Sequence, residues 1–351
     1  MVGLALDGKR LAWADCRRIH VLDGERDVLL RLPALVDRDA CATGRSGSQA
    51  RAGAEGKLVF AGNSLGWFFA TSDRSWHAFA LGISSTTSRS SRLLRADRFY
   101  DEKANAGLHG GIASDNRIVL WTWPRLSLLG PIALAYCDVY NPEDDRCRVR
   151  VRDAAMHASS NKETAALDYV PPAGPIAASS GWIAAAVVEP GTYPQRRRSG
   201  PREVVVARLG DGAILARVRS GDPVHAVALS DRLLAIERDE RIDLYRLPGG
   251  VWLRSVSFRY PRLRTSYRFT GSIAVAASSL IVWSAERVEV VDATSGRSNL
   301  VWPTSALHPL ESDQRITALA TDGERVAWAT TSLQGGSDIR VRALSEKEGS
   351  D

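Results

Sequence analysis

The stretch Asp7-Gly8-Lys9-Arg10-Leu11-Ala12-Trp13-Ala14 returns near the far end of the chain as Asp322-Gly323-Glu324-Arg325-Val326-Ala327-Trp328-Ala329. In both, an Asp-Gly turn leads through charged residues into a short apolar run centred on Trp, the composition of a tight hairpin entering a buried strand. Between them the pattern of polar turn and short apolar strand recurs as Leu65-Gly66-Trp67-Phe68-Phe69, Arg117-Ile118-Val119-Leu120-Trp121, Gly181-Trp182-Ile183-Ala184-Ala185, Arg232-Leu233-Leu234-Ala235-Ile236 and Ser279-Leu280-Ile281-Val282-Trp283. The seven copies are spaced by about 46 to 65 residues. That is slightly above the usual length of a four-stranded repeat, and the excess lies in identifiable loops.

Four short strands per copy can be read from β-rich runs between turn residues. The fifth copy gives strands near 224–229, 233–237, 242–247 and 251–258, with turns at Ser230-Asp231, Arg238-Asp239-Glu240 and Pro248-Gly249-Gly250. The first gives 2–6, 11–14, 19–22 and 28–32; the last gives only 316–321, 325–330 and 338–344 before the polar run 345–351. Runs such as Val204-Val205-Val206-Ala207 mix alternation with continuity, as in sheets covered on both faces, and no helical period interrupts them. The Trp at or near the centre of six of the seven anchors is read as filler between adjacent sheets.

With these residues the chain resembles the broad β-propeller superfamily, in the manner of WD-repeat, quinoprotein-like and lactonase-like repeats. No Gly-His or Trp-Asp dipeptide occurs, while Asp292-Ala293-Thr294-Ser295-Gly296 is similar to the Asp-containing turn of quinoprotein-type blades. The resemblance implies an all-β fold: a single β-propeller of about seven four-stranded blades, the last lacking its outer strand. It would span 1–344, with blades near 1–35, 56–96, 107–153, 173–220, 222–259, 269–303 and 314–344, and a disordered tail at 345–351. Because a propeller closes its ring, often with a strand from the other terminus, the expectation is a natural chain that begins upstream of Met1. The upstream segment would hold the closing strand and a secretion signal; an upstream region with no in-frame coding sequence would dismiss this.

At 351 residues, 44% hydrophobic and 25% charged, the chain has ample material for a core. The formal charge is +6 and the pI about 9.3, but Lys occurs only at Lys9, Lys57, Lys103, Lys162 and Lys347. So Arg-biased a composition reflects genome base composition, and the basic balance is not counted toward a nucleic-acid partner. No apolar run approaches the roughly eighteen residues that a membrane span needs. No signal peptide is visible at Met1-Val2-Gly3-Leu4-Ala5-Leu6-Asp7.

Cys137 and Cys147 flank a turn-rich stretch between strand-like residues, and Cys16 with Cys41 would close the loop after the first copy. Paired in this way they are disulfide candidates and favour an extracytoplasmic, secreted protein; four unpaired thiols are the alternative. A metal role lacks a Cys-x-x-Cys and neighbouring His. The acidic run Asn141-Pro142-Glu143-Asp144-Asp145 is a weak calcium candidate without the alternation of a calcium loop, and otherwise no cofactor is implied.

No catalytic constellation assembles. His20, His77, His109, His157, His225 and His308 are scattered. Five segments stand apart from the repeat: 38–56, the Ser/Thr tract 84–91, 156–172, 189–201 with Arg196-Arg197-Arg198, and 259–268. In the last, Arg259, Tyr260, Arg262, Arg264, Tyr267 and Arg268 interleave cations with rings, a composition suited to an anionic ligand and a stacked base or sugar. The sequence thus points to a monomeric, non-enzymatic scaffold presenting loops at a propeller face to a protein, peptide or glycan. The alternatives are a lactonase-like metal-dependent hydrolase or lyase with a site in the channel, and an Arg-dependent polyanion binder.

Overall fold

A computed structural model describes residues 3–14, 18–32, 54–73, 76–100, 111–115, 118–122, 134–138, 172–187, 202–208, 213–219, 221–238, 241–257, 273–284, 287–302, 314–332 and 337–344. Among them every regular element is a strand, and no helix long and apolar enough to cross a membrane is present. The strands form seven antiparallel sheets, each a meander in chain order.

The first sheet holds β1 (Gly3–Asp7), β2 (Arg10–Ala14), β3 (Arg18–Asp23) and β4 (Arg26–Arg31). The second holds β5 (Ala54–Ala61), β6 (Ser64–Asp73), β7 (Trp76–Ser85) and β8 (Ser91–Tyr100). The third has three described strands, β9 (Gly111–Asp115), β10 (Ile118–Thr122) and β11 (Leu134–Asp138). The fourth runs β12 (Pro172–Ser179), β13 (Trp182–Val187), β14 (Glu203–Arg208) and β15 (Ile214–Arg219). In the fifth are β16 (Ala226–Leu229), β17 (Leu233–Glu237), β18 (Arg241–Arg246) and β19 (Val251–Ser257). The sixth comprises β20 (Ile273–Ala276), β21 (Ser279–Trp283), β22 (Val288–Asp292) and β23 (Ser298–Trp302). The seventh has three described strands, β24 (Gln314–Thr321), β25 (Arg325–Ser332) and β26 (Ser337–Ala343). All seven anchor stretches fall on the second strand of a sheet.

The chain divides into two units, Met1–Tyr100 with Ala274–Asp351, and Asp101–Ile273. In the first unit the sheets stack in the order sixth, seventh, first, second. Ile281, Val288 and Val301 of the sixth pack on Ile316, Val326 and Trp328 of the seventh. Ala318, Ala327 and Ala329 of the seventh meet Leu4 and Leu6 of the first. Ile19, Val21, Val28 and Leu30 then meet Leu58, Phe60, Leu65, Trp67 and Phe69 of the second. Sequence-distant ends are therefore joined by an apolar seam, as the matched hairpins implied.

In the second unit, Val204, Val206, Ala216 and Val218 of the fourth sheet pack on Val227, Leu229, Leu234 and Ile236 of the fifth. Trp13, Trp67, Trp182, Trp283 and Trp328 all lie in these inter-sheet cores, so the aromatic residue of the repeat does fill the space between sheets.

The matched turns share a mechanism. Asp322 accepts from the backbone N–H of Glu324 (3.0 Å) and Arg325 (2.7 Å) through Oδ1, while the Arg325 Nε and Nη2 donate to its Oδ2 at 3.2 and 2.9 Å. Asp7 pairs with Arg10 across the matching turn, and Arg10 also donates to Gly62 O (2.6 Å) and lies 4.7 Å over the Phe60 ring, bridging the first and second sheets. Gly8 and Gly323 have φ of 51° and 95°, a region that a side chain disfavours.

The second sheet differs from the sequence reading. The tract 84–91 is not an insertion: it is the tip of a long hairpin whose strands, β7 and β8, have ten residues each. Ser84 is buried and accepts from Trp67 Nε1 at 3.0 Å, and its Oγ lies 2.8 Å from Ser91 Oγ. A hydroxyl that looks like loop chemistry in sequence is the partner that lets an indole be buried.

Two predictions arise from this framework. Gly250, at the turn before β19, has φ of 65°, and a Cβ there would lie 2.9 Å from Ala216 Cβ of the neighbouring sheet. Gly250→Ala is expected to lower stability by roughly 1–3 kcal/mol, read from the urea midpoint. An unchanged midpoint would refute the close approach.

Lys57, half-buried on β5 opposite Phe68, has its pKa lowered from 10.5 to about 8 by burial. Between about pH 8 and 10.5 the unfolded chain binds a proton that the native state sheds, so this group makes stability rise with pH across that window. Its penalty is full below pH 8. Lys57→Met is expected to raise the urea midpoint at pH 7 and to flatten the rise between pH 8 and 10.5; parallel curves for the two proteins would contradict this.

Candidate functional site at one end of the fifth sheet

The chemistry gathered among the described residues lies where the connection from β15 reaches β16 and the β17–β18 turn closes. Strand β18 alternates Ile242, Asp243 and Leu244, and its pairing with β17 places Asp243 opposite Ile236. A carboxylate in that apolar register needs partners, since an isolated buried charge is far too costly.

Arg238, at the end of β17, supplies the first: its Nε donates to Asp243 Oδ2 at 2.6 Å, with the Arg238 side chain 0% and that of Asp243 6% exposed. Arg241 Nε donates to Asp243 Oδ1 at 3.0 Å and Ser255 Oγ to the same oxygen at 2.6 Å. The network then extends to the preceding connection. Arg238 Nη1 donates to Asp222 O at 3.1 Å, and Arg241 Nη2 lies 2.9 Å from Asp222 Oδ2. Backbone bonds from His225 N to Glu237 O (2.9 Å) and from Arg238 N to Arg241 O (2.8 Å) close the assembly.

Two guanidinium groups against two carboxylates leave the cluster near neutral. The Asp243 carboxylate raises the Arg241 pKa further, by charge and hydrogen bond, with Asp222 adding to it. Tyr245, on the same face of β18, is held as a neutral phenol by burial and then by the Asp243 charge, against the opposing influence of Arg238 and Arg241. Asp243, saturated by three donors, is unsuited to act as a base or nucleophile. The arrangement fixes two adjacent loops relative to one another and leaves Arg241 and Asp222, 44% and 45% exposed, at the surface.

The structure places the sequence-predicted site residues as follows. Arg259, Tyr260, Arg262, Arg264, Tyr267 and Arg268 lie outside the described residues, as do Cys16, Cys41, Cys147, the acidic run 141–145, Arg196 to Arg198 and His109. Cys137 is on β11, its backbone opposite Val119. His225 directly precedes β16, and His20 stacks on Trp13 with ring centroids 5.0 Å apart. Among the described residues no group of three or more His, Cys, Asp or Glu could hold a metal ion. The sequence reading passed over Asp222, Arg238, Arg241, Asp243 and Ser255. The available signal was Asp243, a charge set between Ile242 and Leu244 in a strand otherwise read as core.

The sheets and their stacking define a β-propeller fold. Among solved structures, the WD40 domain of Pan2 from Neurospora crassa matches with a TM-score of 0.50 at 10% identity, over 98% of this chain and 89% of that one. Hsv2 from Kluyveromyces lactis gives 0.48 at 12% identity over 97% of both chains, and BamB from Moraxella catarrhalis 0.43 at 12% over 97% and 83%. At such identities the likeness is one of fold. No protein-family model matches the chain, and no curated protein matches it.

Proposed function

We propose that this chain is a non-enzymatic binding scaffold that presents loops at a propeller face to a protein or peptide, with a glycan as the other ligand class. The observation that carries the reading is the Asp222–Arg238–Arg241–Asp243–Ser255 network: its buried acid is consumed in bracing, so the end of the fifth sheet is a rigid platform and not a reaction centre. Its fold class supports this, since WD40-type propellers are typically protein-interaction scaffolds. Arg259, Tyr260, Arg262, Arg264, Tyr267 and Arg268 follow β19 in sequence and are proposed to contribute to ligand contact. The Cys137–Cys147 and Cys16–Cys41 pairs are proposed as disulfides of an exported protein, to be tested by intact mass with and without reductant.

Cross-linking mass spectrometry in lysate of the native host tests the main claim. A partner cross-linked within 221–241 is expected, and the link is expected to be lost in Asp222→Ala, which leaves Asp243 its three donors, while the thermal midpoint changes little. Turnover of lactone or ester substrates that stops on adding a chelator, without any such partner, would overturn the scaffold reading in favour of a metal-dependent hydrolase.

A further inference from the structure

We propose that the edge of β19 that no described strand covers is a second interaction surface, which takes an extended peptide of alternating apolar and acidic residues as an added strand. It goes beyond the loop platform, since it uses the main chain of the outer strand and the Trp252 side chain, which belong to none of the network's ion pairs.

The sheet runs β16-β17-β18-β19, so among the described strands β19 has a paired neighbour on one side only. Edge strands carry unpaired N–H and C=O groups and are ordinarily blunted by charge. Here β4 carries Arg26, Asp27 and Arg31, β8 carries Arg92, Arg95, Asp97 and Arg98, and β26 carries Asp338, Arg340 and Arg342. β19 reads Val-Trp-Leu-Arg-Ser-Val-Ser, with Arg254 its sole charge; the outer strand β23, Ser-Asn-Leu-Val-Trp, is also uncharged, with Leu300 38% exposed. β19 also bears the most exposed large apolar side chains among the described residues, Trp252 at 58% and Val251 at 49%.

Geometry and charge select the occupant. A register shift at Leu244/Tyr245 sets Trp252 opposite Tyr245 and leaves Arg254 to Ser257 as a regular edge paired with Leu244 to Arg241. Trp252 thus offers an apolar anchor on one face of the strand. Val251 on the other face lies opposite the exposed Arg246, and Arg254 opposite Leu244 follows on that side. β19 contains no acidic residue. An added strand would gain main-chain hydrogen bonds along the edge, placing apolar side chains against Trp252 and acidic ones toward Arg246. An antiparallel second copy centred on Arg254 would set that residue opposite its equivalent, which opposes pairing of like edges.

The test uses the full chain and a fluorescein-labelled ten-residue peptide of alternating Val and Glu, with a Val/Lys peptide for comparison. Anisotropy is expected to show saturable binding of the Val/Glu peptide only, about thirtyfold weaker in Trp252→Ser, as for loss of an aromatic anchor, and weaker in Arg246→Glu. Both residues are surface groups, so unchanged thermal midpoints are expected in both variants. Hydrogen exchange is expected to slow in 251–257 on binding. Equal affinity for the Val/Lys peptide, absence of binding, or protection confined to 221–241 would each overturn the proposal, the last while leaving the loop platform standing. Concentration-dependent dimerisation with 251–257 protected in the absence of peptide would overturn it in favour of a second copy.

Discussion

Asp243→Ala is expected to cost about 3–5 kcal/mol of folding stability, because it leaves Arg238 as an uncompensated buried charge. The Arg238 side chain is 0% exposed and its Nε donates to Asp243 at 2.6 Å. Ser255 and Arg241 lose the same acceptor. Removing both charges is a different experiment: Arg238→Met with Asp243→Leu discards the desolvation cost along with the attraction and is expected to cost far less than the single change. Urea unfolding of the wild type, Arg238→Met, Asp243→Leu and the double variant forms a cycle. If the double variant is as unstable as the sum of the single ones, the pair is not the coupled unit described.

The other large effect is expected at Trp67→Ala, at about 3–5 kcal/mol, the range for truncating a buried aromatic side chain. Trp67 is fully buried between the first and second sheets, stacked on Phe69 with centroids 5.7 Å apart. Its Nε1–H is committed to Ser84. Ser84→Ala is expected to cost about 1–3 kcal/mol by leaving that donor buried and unpaired. Trp67→Phe removes the donor with the ring edge, so adding Ser84→Ala to it is expected to cost little more. Thermal midpoints of the variants check this; a costly Ser84→Ala on top of Trp67→Phe would sever the link between the two residues.

These cases show where the sequence was readable. The Asp7/Arg10 and Asp322/Arg325 hairpins were legible because the turn acid, the glycine and the strand that follows lie within a few residues of one another. Strands β16 to β19 were found within two residues of their bounds, since Pro, Gly, Asp and Ser punctuate them. Ser84 was misread because its partner is 17 positions away and only the pairing of β6 with β7 brings them together. The network at the fifth sheet was missed for the same reason. Asp222 joins it from the strand connection on one side and Ser255 from the outer strand on the other, and each alone reads as an ordinary solvated residue of a turn-rich segment. The Arg- and Tyr-rich segment that the sequence favoured as a binding patch begins at Arg259, outside the described residues.

The seam between the first and seventh sheets has a consequence for synthesis. Leu4 and Leu6 are made roughly 310 residues before the Ala318, Ala327 and Ala329 that cover them. Until those residues emerge, one apolar flank of the first sheet has no native neighbour. Such non-local pairing delays folding and leaves apolar surface open to wrong contacts. A nascent chain stalled before residue 314 should therefore bind trigger-type holdases through 3–14, and release them once β24 and β25 have emerged.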